Sequence, residues 1–209
     1  FRVSDIMDRI YRQDVFQEKE EVMNSFVNED IIRFIQINYG PWERLNGNLP
    51  FLPGFGTKPP GSGFYPSDMT RQEFEQLEHP GKDGLYTLIR RNQQGDLEVI
   101  PYHEAFAPQV EEAADLLRKA SGLAENPAFA KYLEMRADAL LTDRYFDSDM
   151  AWMDVRDNDI DFVVGPIENY EDALFNYKAA HEAFILIKDR QWSEKLDFIN
   201  SALPLLQKS

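Results

Sequence analysis

SDMAWMDVRDNDIDFVVGPIENYED, Ser148 to Asp172, is the stretch on which the reading of this chain turns. Ile160 to Val164 is apolar on both faces apart from Asp161, the pattern of a strand buried on two sides. Pro166 then predicts the end of its pairing, because proline has no N–H to give a ladder. Past the Gly-Pro step come Glu168 and Tyr170. Residues i and i+2 of an extended chain point to one side, so this pair can aim an anion and a hydroxyl donor at a single bound group in an open concavity. The plainer alternative is a solvated turn carboxylate beside a half-buried ring. Trp152, among Met150, Met153 and Val155, fits either a cleft wall or the core. Asp149 and Asp154 read as turn or capping residues. The acidic run Asp147, Asp149, Asp154, Asp157, Asp159 and Asp161 lacks the glycine and terminal glutamate of a calcium loop.

Outward from this stretch, Ala183 to Ile187 is expected to be a second strand of the same sheet, with a helix from Glu171 as the alternative. An amphipathic helix follows from Gln191 to about Gln207, marked by Trp192, Leu196, Ile199, Leu203 and Leu206, with Pro204 near its end. Upstream, Val110, Ala113, Ala114, Leu117, Ala120 and Leu123 form one apolar stripe at helical spacing. Asn126-Pro127 supplies an N-cap and a first-turn proline for the next helix, and the two predict a helical hairpin. Leu85 to Arg91 and Leu97 to Tyr102 flank NQQGD as a β-hairpin. Thr70-x-x-Glu73 is a capping box that opens a short helix closed by Pro80-Gly81. From Tyr39 to Asp68 the prolines Pro41, Pro50, Pro53, Pro59, Pro60 and Pro66 exclude a regular ladder or helix. Trp42, Phe51 and Phe64 are expected to anchor that long loop in a core, rather than to line a cleft. Arg12 to Ile37 has helical periodicity through Val15, Phe16, Val22, Met23, Phe26, Ile31 and Ile35, as one helix or as two broken at Asn28-Glu-Asp. The class is α+β, helix-rich, with a small mixed or antiparallel sheet and a long irregular Pro/Gly/aromatic loop, in a single domain over residues 1–209.

The 37 acidic and 22 basic side chains of this 209-residue chain leave a formal net charge of -15. That balance disfavours nucleic acid and anionic membranes and favours cationic ligands, a peptide amino terminus among them. The chain has no cysteine, which excludes a disulfide framework and thiol chemistry but selects no compartment; cytoplasm and periplasm both stay open. No apolar run approaches the roughly 18 residues that span a bilayer. The opening on Phe1 fits the loss of an upstream segment. His79, His103 and His181 lie far apart in sequence, with no second histidine four or five residues on to complete a metal-ligand pair.

Five strings in one order carry a resemblance: YGPWERLNGNLPF (39–51), KPPGSGFYPSDMT (58–70), LYTLIRRNQQGDLEVIPYHEAF (85–106), ADALLTDRYFDSDMAWMD (137–154) and GPIENYED with FNYKAAHEAFILIKD behind it. They resemble the dipeptidyl peptidase III family of zinc metallopeptidases, in its nudix-associated branch. The resemblance implies a substrate-binding lobe of a larger two-lobed enzyme. In it Glu168 receives the free amino terminus of a peptide, Tyr170 donates to the scissile carbonyl oxygen, and Trp152 lines the cleft wall. The family's zinc motif, HExxGH or HExxxH, is absent here, so no metal site is expected in this chain and zinc is expected in the full-length protein. The implied partners are a peptide and a separate zinc-binding lobe. Pro166, Asn169 and Glu171 depart from the better-known family pattern, which has Phe, Ser and Arg there.

Two functions follow as expectations. One is the substrate-binding lobe of a zinc-dependent exopeptidase, inactive alone; the other is a binding or interaction domain that keeps the fold without the chemistry. The first also predicts an apolar face around Phe51 to Tyr65 or Trp192 to Leu206, and self-association through it.

Overall fold

The computed structural model describes residues 1–16 and 28–206, with only the backbone described at 205 and 206. Helix α1, Arg2–Val15, begins well before the expected Arg12. Its early start comes from Val3, Ile6, Met7 and Ile10, whose three- and four-residue spacing buries one face. Helix α2, Glu29–Asn38, is separate, because Asn28 takes an extended conformation and its side chain accepts from the N–H groups of Asp30 and Ile31. Val22, Met23 and Phe26 lie outside the described residues.

The proline-rich segment does carry one short ladder, contrary to expectation. Strands β1, Trp42–Glu43, and β2, Leu49–Pro50, pair antiparallel around a single 3-10 turn, Arg44–Asn46. Pro50 is tolerated because a two-stranded ladder has only edges. Trp42 packs with Phe16, Ile35 and Leu52 in a small cluster flanked by Phe51 and Phe55, and its indole N–H donates to the Gly56 carbonyl at 2.7 Å. Phe64 and Tyr65 instead enter the main core. The three expected anchors therefore serve two cores. Between them Gly63 lies so close to α1 that a Cβ would stand 1.9 Å from the Gln13 carbonyl oxygen. Only glycine fits that approach.

Helix α3, Arg71–Gln76, has the expected capping box: Thr70 and Glu73 each accept from the other's backbone N–H. Strands β3, Thr87–Arg91, and β4, Leu97–Pro101, form the expected antiparallel hairpin. A one-turn helix α4, Tyr102–Ala105, precedes α5, Ala107–Ser121, which ends before Leu123, the last residue of the expected apolar stripe. Helix α6, Pro127–Leu140, follows with Asn126 as its cap. The helical hairpin of α5 and α6 packs together, and α7, Phe146–Met153, packs on α6. Asp149 is accordingly a helical residue, paired with Arg136, rather than a turn or cap.

Strands β5, Ile160–Glu168, and β6, Ala180–Ile187, make the sheet that positions the site. The helix alternative after Glu171 does not occur. Two expectations are corrected here. Pro166 does not end the pairing, since it faces His181 in register and the ladder continues to Glu168 opposite Ala180; a two-stranded sheet leaves an edge on which a proline needs no partner. Nor is β5 an interior strand: Phe162 and Val164 are buried, but Ile160 is 45% exposed. Helix α1 packs across β6 and against α5, so the main core sits between α1, the sheet and the α5–α6 hairpin. Helix α8, Arg190–Leu206, contains Pro204 within its last turn.

Candidate functional site

Between Pro166 and Glu168 the ladder shifts register, so that Ile167 is an extra residue in β5. A bulge of this kind re-aims the side chains beyond it. Gly165 before it sits at φ +123°, and a Cβ there would meet the Tyr145 ring at 3.2 Å. Past the bulge Glu168, Asn169 and Tyr170 are exposed, and Asn169 closes the turn by donating to the Asn176 carbonyl at 2.8 Å. Glu168 and Tyr170 both lie beside Glu182 of β6. The Tyr170 hydroxyl is 3.5 Å from Glu182 Oε1, at the limit of a hydrogen bond. Burial first, and then the Glu168 charge, pushes the Glu182 carboxyl up, and its Oε2 is buried without a partner. Burial and the charges of Glu182, Glu171 and Glu168 likewise push the Tyr170 phenol up. The phenol therefore stays a donor at neutral pH, on an acidic surface suited to a cation.

The pair is held from behind by two adjacent carboxylates that sequence reasoning passed over. Glu171 is buried and accepts from the Tyr11 hydroxyl at 2.9 Å, from the Arg44 guanidinium, and from the Lys58 ammonium at 3.4 Å. Burial alone would raise its carboxyl, but these donors hold it below the ordinary range. Asp172, fully buried, takes the Tyr65 hydroxyl at 2.7 Å and four backbone N–H groups, those of Leu174, Phe175, Tyr177 and Lys178. Through them the segment after β5 is tied to α1 and to the proline-rich loop. The Ser62 hydroxyl adds a bond to the Glu171 carbonyl at 3.1 Å.

Tyr170 also lines a cavity of about 400 Å³ between this turn and the loop, whose other walls include Arg44, Asn48, Lys58, Ser62 and Glu171. Glu168 is not among its lining residues. The expected single concavity is thus divided, with an open acidic surface on one side of Tyr170 and a walled cavity on the other.

Trp152 lies elsewhere. Its indole N–H donates to Asp161 Oδ1 at 2.8 Å, near the start of β5, and Glu168 lies seven positions further along the strand, roughly 23 Å at strand rise. Within this chain Trp152 does not meet the other two. The histidines have separate partners: His79 Nδ1 accepts from the Gly81 N–H, His103 pairs with Asp143 at 2.7 Å, and buried His181 pairs with Asp14 at 3.0 Å. Among the described residues no three His, Asp or Glu side chains gather to hold a metal. These residues do not fit a zinc site.

No protein-family profile matches the chain. Over its whole length it is similar to the structure of DPP III from Caldithrix abyssi, with a TM-score of 0.90 and 41% identity, covering 42% of that protein. It is also similar to dipeptidyl-peptidase III from Corallococcus sp. strain EGB, with a TM-score of 0.85 and 31% identity over 97% of this chain and 40% of that one. A curated relative, Nudix hydrolase 3 of Arabidopsis thaliana, is 29% identical over 269 aligned positions that take in 99% of this chain and 35% of the relative. The chain therefore spans well under half of each of these relatives and corresponds to one lobe of the dipeptidyl-peptidase III fold, as the five strings implied.

Proposed function

We propose that this chain is the substrate-binding lobe of a dipeptidyl peptidase III-like hydrolase. In this reading Glu168 anchors the amino terminus of a peptide and Tyr170 polarises the scissile carbonyl. The observation that carries it is the exposed Glu168–Tyr170 pair beside the half-buried Glu182 on a bulged strand end, in a lobe matched over its whole length by dipeptidyl-peptidase III. A free ammonium brings the opposite charge to two neighbouring carboxylates, and the exposed Glu168 carboxylate offers it an acceptor. A phenol kept protonated by that same acidic surface is suited to donate to an oxygen that gains charge during acyl transfer. The rest of a full-length parent protein would contribute the zinc site and, with it, the water activation that this chain's residues do not supply. Trp152 would form part of the cleft wall only where that second lobe approaches α7 and the start of β5.

Two measurements test the reading. Calorimetric titration of this chain with tetra-alanine amide should give saturable binding that N-acetylation of the peptide weakens about tenfold or more, as expected for a lost charge-assisted contact. Equal binding of both peptides removes the anchoring role of Glu168. In the full-length protein, Tyr170→Phe should lower kcat about 100-fold or more with KM little changed, as loss of an oxyanion donor does. Unaltered kcat would favour the reading as a binding domain without this chemistry.

A further inference from the structure

The cavity on the far side of Tyr170 has a charge unlike the rest of the molecule. The chain carries a net charge of -15, yet the cavity is lined by two cations, Arg44 and Lys58, against one acid, Glu171. That acid already accepts from Tyr11, Arg44 and Lys58 together. The Lys58 ammonium has three N–H donors, and its only hydrogen-bond partner among the described residues is Glu171 Oε2, at a long 3.4 Å. Its side chain is 14% exposed, so two donors on a largely desolvated cation are left facing the cavity. Burial pushes that ammonium down against the opposing charge of Glu171, and proximity to Arg44 adds to the effect; the charge of an entering anion would offset both. Asn48 and Ser62 place further polar groups on the walls.

The geometry points to this cavity as an anion subsite that binds a carboxylate of the bound peptide, with Lys58 as the residue that selects for it. The inference rests on the proposed peptide-binding role of Tyr170, which forms the wall between the acidic surface and the cavity. A peptide lying across Tyr170 then meets acid at its amino terminus and cation further along. The carboxylate has two possible sources, an acidic side chain or the carboxy terminus of a short peptide.

The test separates this subsite from the peptide-binding reading. The chain is titrated with glutarate and, in parallel, with neutral glutaramide, following backbone amide signals by NMR. Saturable shifts at Asn48, Lys58, Ser62 and Tyr170 with glutarate alone are expected. Lys58→Gln, which keeps a donor to Glu171, should weaken glutarate binding about tenfold, and Lys58→Arg should restore it. Melting curves of the variants confirm folding. In the second arm, tetra-alanine amide is compared with its free acid and with versions bearing one glutamate at each position. At least one acidic form should bind about tenfold tighter than the neutral amide in the parent and equally in Lys58→Gln. A gain with the free acid assigns the carboxy terminus, and a gain at one glutamate position assigns a side chain. If glutarate shifts nothing at these amides, or Lys58→Gln binds it unchanged, there is no anion subsite. If glutarate binds but no acidic peptide gains, the cavity is not a peptide subsite and the inference is overturned, whether or not the amino-terminal anchor holds.

Discussion

Glu171 and Asp172 are adjacent carboxylates that hold the turn after β5 by different means. Asp172 collects mainly backbone N–H groups and fixes the local loop, whereas Glu171 collects side chains from distant segments. Glu171→Gln leaves the Arg44 and Lys58 charges without their anion. Loss of one member of a buried pair costs about 3–5 kcal/mol, and the partial exposure of Arg44 lowers the expectation to about 2–3 kcal/mol. The Glu171 carboxyl lies below its ordinary value, so its contribution is complete above the unfolded carboxylate range and is lost as pH falls through the folded value. Urea unfolding should accordingly give the full deficit for Glu171→Gln at pH 7 and a deficit that closes below about pH 4. Lys178 gives a slope of the same sign in a more alkaline window. Its buried ammonium donates to the Lys82 and Gly84 carbonyls and to the Thr87 hydroxyl, and desolvation lowers it to about 8. Between that value and the ordinary lysine value, about 10.4, the unfolded chain binds more protons than the folded one. Stability relative to Lys178→Met therefore rises with pH across that window. At pH 7 the variant should lose about 2 kcal/mol, because three partly buried acceptors are stranded. Urea midpoints at pH 7, 8.5 and 10 check both statements.

At the scale of elements, the site depends on where the irregular loop crosses α1. Gly63 donates its N–H to the Asp14 carbonyl at 2.6 Å, and Arg90 of β3 donates to the carbonyls of Gly63 and Phe64. The crossing thus locks loop, helix and hairpin together, and Lys58 and Ser62 reach the cavity from its near side. A methyl group at Gly63 would overlap the α1 backbone, so Gly63→Ala should lower stability by about 3 kcal/mol or more, the size expected when backbone must move. Gly95→Ala is the matched control: it has φ +89° but open space, and the strain alone should cost about 1 kcal/mol. Denaturant midpoints of the two variants compare contact with conformation. The capping box at Thr70, the Asn126-Pro127 start and the β3–β4 hairpin were readable in sequence because each depends on residues close together along the chain. The bulge at Ile167 was not, since register is a relation between two strands.

At the scale of the whole molecule, an acidic chain exposes several large apolar side chains. Trp192, Leu196, Ile199 and Leu203 form a stripe along α8, and Phe184, Leu186 and Ile187 of β6 with Ile160 of β5 are exposed as well. The expected alternative face, Phe51 to Tyr65, is largely folded inward. Exposed apolar surface of this kind marks an interaction site, and we propose that the α8 stripe receives the second lobe of a larger protein or, in that lobe's absence, another copy of the chain. The net charge of -15 opposes contact between copies, and salt screens that repulsion over about 8–10 Å at physiological strength. Light scattering should therefore detect concentration-dependent association that increases with salt and is reduced by Leu196→Glu with Ile199→Lys. A monomer at all salt concentrations would count against the interface. The sequence by itself determined the helix-rich α+β class, the local caps and hairpins, and Glu168 and Tyr170 as candidates, because periodicity and short motifs are properties of neighbours along the chain. Only the tertiary structure decided that Trp152 lies far from that pair, that Glu182 joins it, and that Tyr11, Arg44 and Lys58 converge on Glu171. Those relations arise when burial brings together residues up to 160 positions apart, and no local pattern encodes such a distance.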